Sequence, residues 1–133
     1  MTQKRKFRFD KLVRDKIVDQ ITEAGNKPKW KVLDDLEYIS ELKKKIIEES
    51  SELANTSNNS ELVEELADVQ ELIDYLIKTL DVDKSELYKY QTKKIEKAGA
   101  FDKKLFVEYV ETDHDSEWCK QYESHPDKYP EIK

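Results

Sequence analysis

The chain has 133 residues, of which 41% are charged and 37% hydrophobic, with 30 acids against 24 bases and a formal charge of −6. That length gives a single domain with a modest core, and 10% aromatics with long apolar repeats argue for a folded, heavily solvated helical protein over a disordered one. Its two glycines, Gly25 and Gly99, exclude a glycine-rich phosphate loop, and its one cysteine, Cys119, excludes an internal disulfide or a multi-cysteine zinc site.

In chain order, a first helix is predicted from about Asp10 to Ala24, with Leu12, Val13, Ile17 and Ile21 on one face and Gly25 as the stop. NKPKWKVL then reads as polar to extended, with Pro28 as a breaker. A second helix starts at the capping box Asp34–Glu37 and runs to about Asn55. The short polar loop NTSNNS turns the chain back, so that the third helix lies antiparallel to the second. This third helix takes Ser60 as its N-cap and reaches about Leu80, with Leu62, Leu66, Val69, Ile73, Leu76 and Leu80 as its seam. A fourth opens at the capping box Asp83–Glu86 and ends at Gly99. Beyond it LFVEYVE, residues 105–111, alternates as a short strand, and the tail from Thr112 reads as a short helix, with Trp118 and Tyr122 one turn apart, followed by coil. The expected fold class is all-α, with one domain at 1–111 and an extension at 112–133 of no assigned role.

The charge is segregated. Residues 1–16 carry +5, residues 46–83 carry −10, and residues 84–104 carry +4. Within the acidic centre, residues 48–74 hold nine carboxylates and no lysine or arginine, although helices usually offset glutamates with bases one turn away. One reading is a solvated acidic face; the other is a site whose compensating charge comes from metal ions. No apolar run is long enough to span a membrane, and MTQKRKFRFD lacks the apolar stretch of a signal peptide, so a cytoplasmic protein with no membrane partner is expected.

Helical geometry sorts the acids. In the second helix Glu49 lies roughly 55° from the centre of the stripe Ile39, Leu42, Ile46, Leu53, Glu52 about 115° on the same side, and Glu48 about 155° away. In the third, Glu65 lies roughly 55° from the stripe and Asp68 about 115° on the same side, with Glu71 nearly opposite. Two matched pairs, Glu49/Glu52 and Glu65/Asp68, thus sit on the shoulders of facing seams. Four converging carboxylates raise one another's pKa unless cations intervene. An oxygen-only set without histidine or thiolate points to Mg2+ or Mn2+, not Zn2+. No Glu-x-x-His motif is present, which argues against a di-iron helix-bundle site.

The pattern EExxE, twelve residues, then ExxD resembles the signature of the all-α nucleoside triphosphate pyrophosphohydrolases, the superfamily of MazG, dimeric dUTPases and phosphoribosyl-ATP pyrophosphohydrolase. More closely, KLVRDKI at 11–17, EY at 37–38, KIIEESSEL at 45–53, EELADVQELID at 64–74 and KAGAF at 97–101 resemble the small MazG-like house-cleaning proteins, over roughly residues 10–110. The resemblance implies an antiparallel four-helix bundle of MazG type and a homodimer or homotetramer. It also implies hydrolysis of a nucleoside triphosphate, non-canonical or surplus, to monophosphate and pyrophosphate. By family pattern Glu49, Glu52, Glu65 and Asp68 hold Mg2+. Glu48 belongs to the motif as its catalytic candidate, orienting a water or reaching a neighbouring subunit, against a plain solvated glutamate.

Lys11, Arg14 and Lys16, with Asp15, are candidates to grip the triphosphate through charge-assisted hydrogen bonds, although Arg14 and Asp15 read equally as partners in an interhelix ion pair. Lys45 and Lys97 are further phosphate candidates, or surface lysines. Phe101 is a candidate to stack on the base, or an aromatic packed under the bundle. Two alternatives stand beside this reading. One is phosphoribosyl-ATP pyrophosphohydrolase itself. The other is a non-catalytic helical interaction module whose basic N-terminus touches nucleic acid; against a stable nucleic-acid complex stands the −10 centre, which repels a phosphate backbone.

Overall fold

The computed structural model describes residues 3–133, and every regular element among them is helical. The order is α1 (Ile17–Glu23), α2 (Asp35–Asn55), α3 (Asn59–Thr79), α4 (Lys84–Ala98) and α5 (Glu117–Glu123). The chain divides into two compact units, Met1–Lys93 and Lys94–Lys133. Among the described residues no helix is long and apolar enough to cross a membrane.

The first unit is organised by α2 and α3. Asp34 stands in extended backbone and its carboxylate accepts the Glu37 N–H at 2.8 Å, which satisfies an orphan donor and starts α2 where the capping box predicts. At α3 the cap is Asn58, not Ser60: its amide oxygen accepts the N–H groups of Ser60 at 2.9 Å and Glu61 at 3.4 Å. One side chain serving two orphan donors begins the helix two residues earlier than the serine would. Only three residues separate the two helices, which pack antiparallel in the one broad helix–helix contact among the described residues.

The first helix is much shorter than its apolar periodicity suggests. Asp10 adopts φ 43°, a left-handed conformation that a helix interior does not allow, and the chain turns before α1 starts at Ile17. Leu12 and Val13 are half-buried all the same, so their apolar spacing reports packing without helix. At the far end of the unit, the Asp83 carboxylate accepts the Ser85 N–H at 3.2 Å and launches α4, which Gly99 closes at φ 86°.

Burial is sparse. Among the described residues Leu42, 1% exposed, is the only fully buried apolar side chain, and the remaining seam residues of α2 and α3 are half-buried or exposed.

In the second unit the expected strand at 105–111 is absent. The segment carries no regular structure and forms no ladder with any described residue. α5 is the short helix expected in the tail, capped by the Ser116 hydroxyl, which accepts the Cys119 N–H at 3.1 Å. Trp118 and Tyr122 meet across one turn at 6.2 Å between ring centroids, and Tyr129 folds back edge-on to Tyr122 at 5.0 Å.

Candidate metal centre

The antiparallel pairing of α2 and α3 brings the shoulders of their seams together. Glu49 from α2 and Glu65 and Asp68 from α3 each place one carboxylate oxygen within 4.8 Å of the others. Glu49 Oε2 and Glu65 Oε2 are buried without a hydrogen-bond partner. Burying carboxylate oxygens unsatisfied is costly, and so is packing three of them together.

The electrostatics record that cost. Burial first, then the hydrogen bond and charge of Glu52, then Glu65 and Asp68, push the Glu49 carboxyl up to about 7. Burial is also the main cause that raises Glu65, reinforced by the charges of Glu52 and Asp68. Glu52 stands exposed at the rim, where its charge acts on both. Three of the four expected ligands therefore form a tight group and the fourth is their neighbour. Hard oxygen donors with unsatisfied buried lone pairs fit a small divalent cation such as Mg2+.

Basic residues of the N-terminal segment meet the rim of this group. Arg14 Nη2 donates to Asp68 Oδ1 at 3.1 Å and forms an ion pair with Glu71 Oε1 at 2.8 Å, so it joins the N-terminal segment to α3. Its partners are on α3, and Asp15 is not among them. Asp15 instead faces Tyr38, whose phenol is raised by burial first, then by Tyr75 and Asp15.

Glu48 is half-buried and is held by two lysines. Lys11 Nζ donates to Glu48 Oε1 at 3.3 Å and Lys45 Nζ to Oε2 at 3.4 Å. Burial opposes its charge, but the two lysines outweigh burial and hold the Glu48 carboxyl below its ordinary value. Lys16 is exposed and makes no ion pair among the described residues. Lys97 lies in the last turn of α4, and Phe101, 96% exposed, lies beyond it; both belong to the second unit.

Glu71 was missed by sequence reasoning. It lies nearly opposite its own apolar stripe, and periodicity assigns such a residue to solvent. Only the path of the N-terminal segment, which helical spacing does not encode, brings Arg14 to it. Compared with models of known families, with curated proteins and with solved structures, the chain gives no significant match.

Proposed function

We propose that the protein is a MazG-like, all-α nucleoside triphosphate pyrophosphohydrolase that splits a non-canonical or surplus nucleotide between its α and β phosphates in the cytoplasm. The observation that carries this reading is the carboxylate group of Glu49, Glu65 and Asp68, with two buried oxygens that have no partner. These three, with Glu52 at the rim, would hold Mg2+ or, in its place, Mn2+. When bound, the ion neutralises the triphosphate, polarises the phosphorus under attack and lowers the pKa of the attacking water. Arg14 and Lys11, already beside the acidic rim, are placed to exchange their carboxylate partners for phosphate oxygens. Lys16, Lys45, Lys97 and Phe101 remain as the further substrate contacts of this reading, and Glu48 as the residue that positions Lys11 and Lys45.

A four-helix bundle of MazG type would then be completed between chains, in a homodimer or homotetramer. What supports this is apolar surface on the central helices: Ile47 is 71% exposed and Val63 64%. A chain of this size otherwise buries about 65–70% of the surface its unfolded form exposes.

The test is pyrophosphate release from a panel of ordinary and modified nucleoside triphosphates and phosphoribosyl-ATP, with Mg2+, with Mn2+ and with chelator. Metal-dependent release of pyrophosphate and monophosphate from at least one of them is expected. No turnover on any would leave the helical interaction module as the better reading.

Arg14 gives a second expectation. Its ion pair with Asp68 is exposed, and such pairs contribute about 0.2–1 kcal/mol, so Arg14→Ala should tighten Mg2+ binding by at most about fivefold. The loss of a charged donor to phosphate is larger, and KM for the triphosphate should rise by about 10-fold or more. Metal titration by calorimetry and steady-state kinetics separate the two effects.

A further inference from the structure

We propose that Lys103–Glu111 is a self-pairing arm, through which two copies of this chain join in an antiparallel ribbon centred on Val107. Three observations point there. From Leu105 to Thr112 no backbone N–H or C=O takes part in a backbone hydrogen bond with any described residue. The same stretch exposes Leu105, Phe106, Val107, Tyr109 and Val110, Phe106 to 89%. Lys103, Lys104, Glu108 and Glu111 make no ion pair among the described residues. An extended apolar segment with a free backbone edge is a template for another strand. Folded chains ordinarily blunt such an edge or cover it.

The charge pattern selects the occupant. The segment reads KKLFVEYVE, basic at its start and acidic at its end, so a second copy running the opposite way meets it with complementary charge. Two-fold pairing of identical antiparallel strands requires one residue to face its own symmetry mate, because only then do opposed side chains share a face. Centring on Val107 opposes Lys103 to Glu111, Leu105 to Tyr109 and Val107 to Val107, all on one face. On the other face Phe106 lies opposite Glu108 and Lys104 opposite Val110. Centring on Glu108 would oppose two glutamates. Centring on Phe106 would pair Lys104 with Glu108 but leave Glu111 facing Phe101 and Lys103 facing Tyr109. Of these registers only the one centred on Val107 pairs Lys103 with Glu111 and sets Leu105, Val107 and Tyr109 between them on one face.

The arm goes beyond the hydrolase reading and stands independently of it, since nothing in it depends on the carboxylates of α2 and α3. The test is disulfide trapping in the full chain with Cys119→Ser, which removes the native thiol. Residues opposed in an antiparallel pair have Cα atoms about 4.5–5.5 Å apart, inside the roughly 4.4–6.8 Å window for a disulfide. Val107→Cys should therefore oxidise to a covalent species of twice the chain mass. Leu105→Cys alone and Tyr109→Cys alone should stay monomeric on a non-reducing gel, but a mixture of the two should cross-link. Lys103→Glu should slow trapping at 107, and adding Glu111→Lys should restore it. No trapping at 107, equal trapping at 105 and 107, or no rescue by the double charge reversal would each overturn the proposal. Helix content by circular dichroism confirms that each variant remains folded, as expected for substitutions at exposed positions.

Discussion

Glu49→Gln should reduce Mg2+-dependent pyrophosphate release by at least ~100-fold while making the metal-free protein more stable. These opposite effects have one origin. Changing groups that merely support a metal ligand costs ~10–100-fold, so changing a direct ligand should cost no less than the upper end. Gln keeps the shape of Glu and one oxygen donor, but removes the charge that draws the cation. In the metal-free chain that same charge is a liability, crowded by Glu52, Glu65 and Asp68 and partly withdrawn from water. Mg2+ at 100 times its Kd stabilises a folded protein by ~2.7 kcal/mol, and the variant should lose most of that gain. Melting curves with and without Mg2+, beside the activity assay, read both effects. Glu64→Gln, on the exposed side of α3, should change neither.

The pH dependence follows with a definite sign. A carboxyl raised to about 7 keeps its proton in the folded chain, while the unfolded chain releases it near the ordinary carboxylate range. Between those two values the folded state binds more protons, so stability falls as pH rises through the window, and the full penalty is in place above about pH 7. The metal-free protein should accordingly melt higher near pH 5 than near pH 8, a slope that Glu49→Gln should flatten. Bound Mg2+ needs the ionised form, so its affinity should climb through the same window, and proton release should be visible on binding near pH 6. An unaltered slope in the variant would move the titration to another carboxylate.

Most of the helical framework was legible because caps and seams are local. Asp34, Asp83 and Gly99 act within a turn of where they stand, and the ends of α2 and α4 follow from them. The shoulder positions of Glu49, Glu65 and Asp68 followed from helical angle alone, since a short loop leaves two long helices little choice but to face each other. What escaped was non-local or competitive. Asn58 outcompetes Ser60 as a cap because its amide reaches two donors at once, which a residue list does not rank. Asp10's left-handed backbone cuts α1 short although its apolar spacing is helical. The links Arg14–Glu71 and Lys11–Glu48 span 57 and 37 positions and depend on where the N-terminal segment runs. The strand expected at 105–111 has the right alternation, but a strand is defined by its partner, and the described residues supply none.

Leu42→Ala should be the most destabilising single truncation of an apolar side chain in the first unit, at about 2–5 kcal/mol. Among the described residues Leu42 is the one side chain with almost no solvent access, so its removal leaves a cavity that neighbouring residues can refill only by moving α2 against α3. Against a total stability of about 5–15 kcal/mol that loss is a large fraction. Leu36→Ala, at 82% exposure near the start of the same helix, should cost about 0.5 kcal/mol or less if Leu36 stays solvated in solution. Ile47 makes the informative contrast. Within a single chain it too is exposed and its truncation should be mild, whereas in an oligomer that covers it the cost should approach that of Leu42. Urea unfolding at two well-separated protein concentrations tells these apart, because only an interface makes the midpoint depend on concentration. A large cost for Leu42→Ala at both concentrations, with a concentration-dependent cost for Ile47→Ala, is the expected pair of results. An Ile47→Ala variant as stable as the parent at both would restrict the core to the α2–α3 seam and leave the outer face of α2 in solvent.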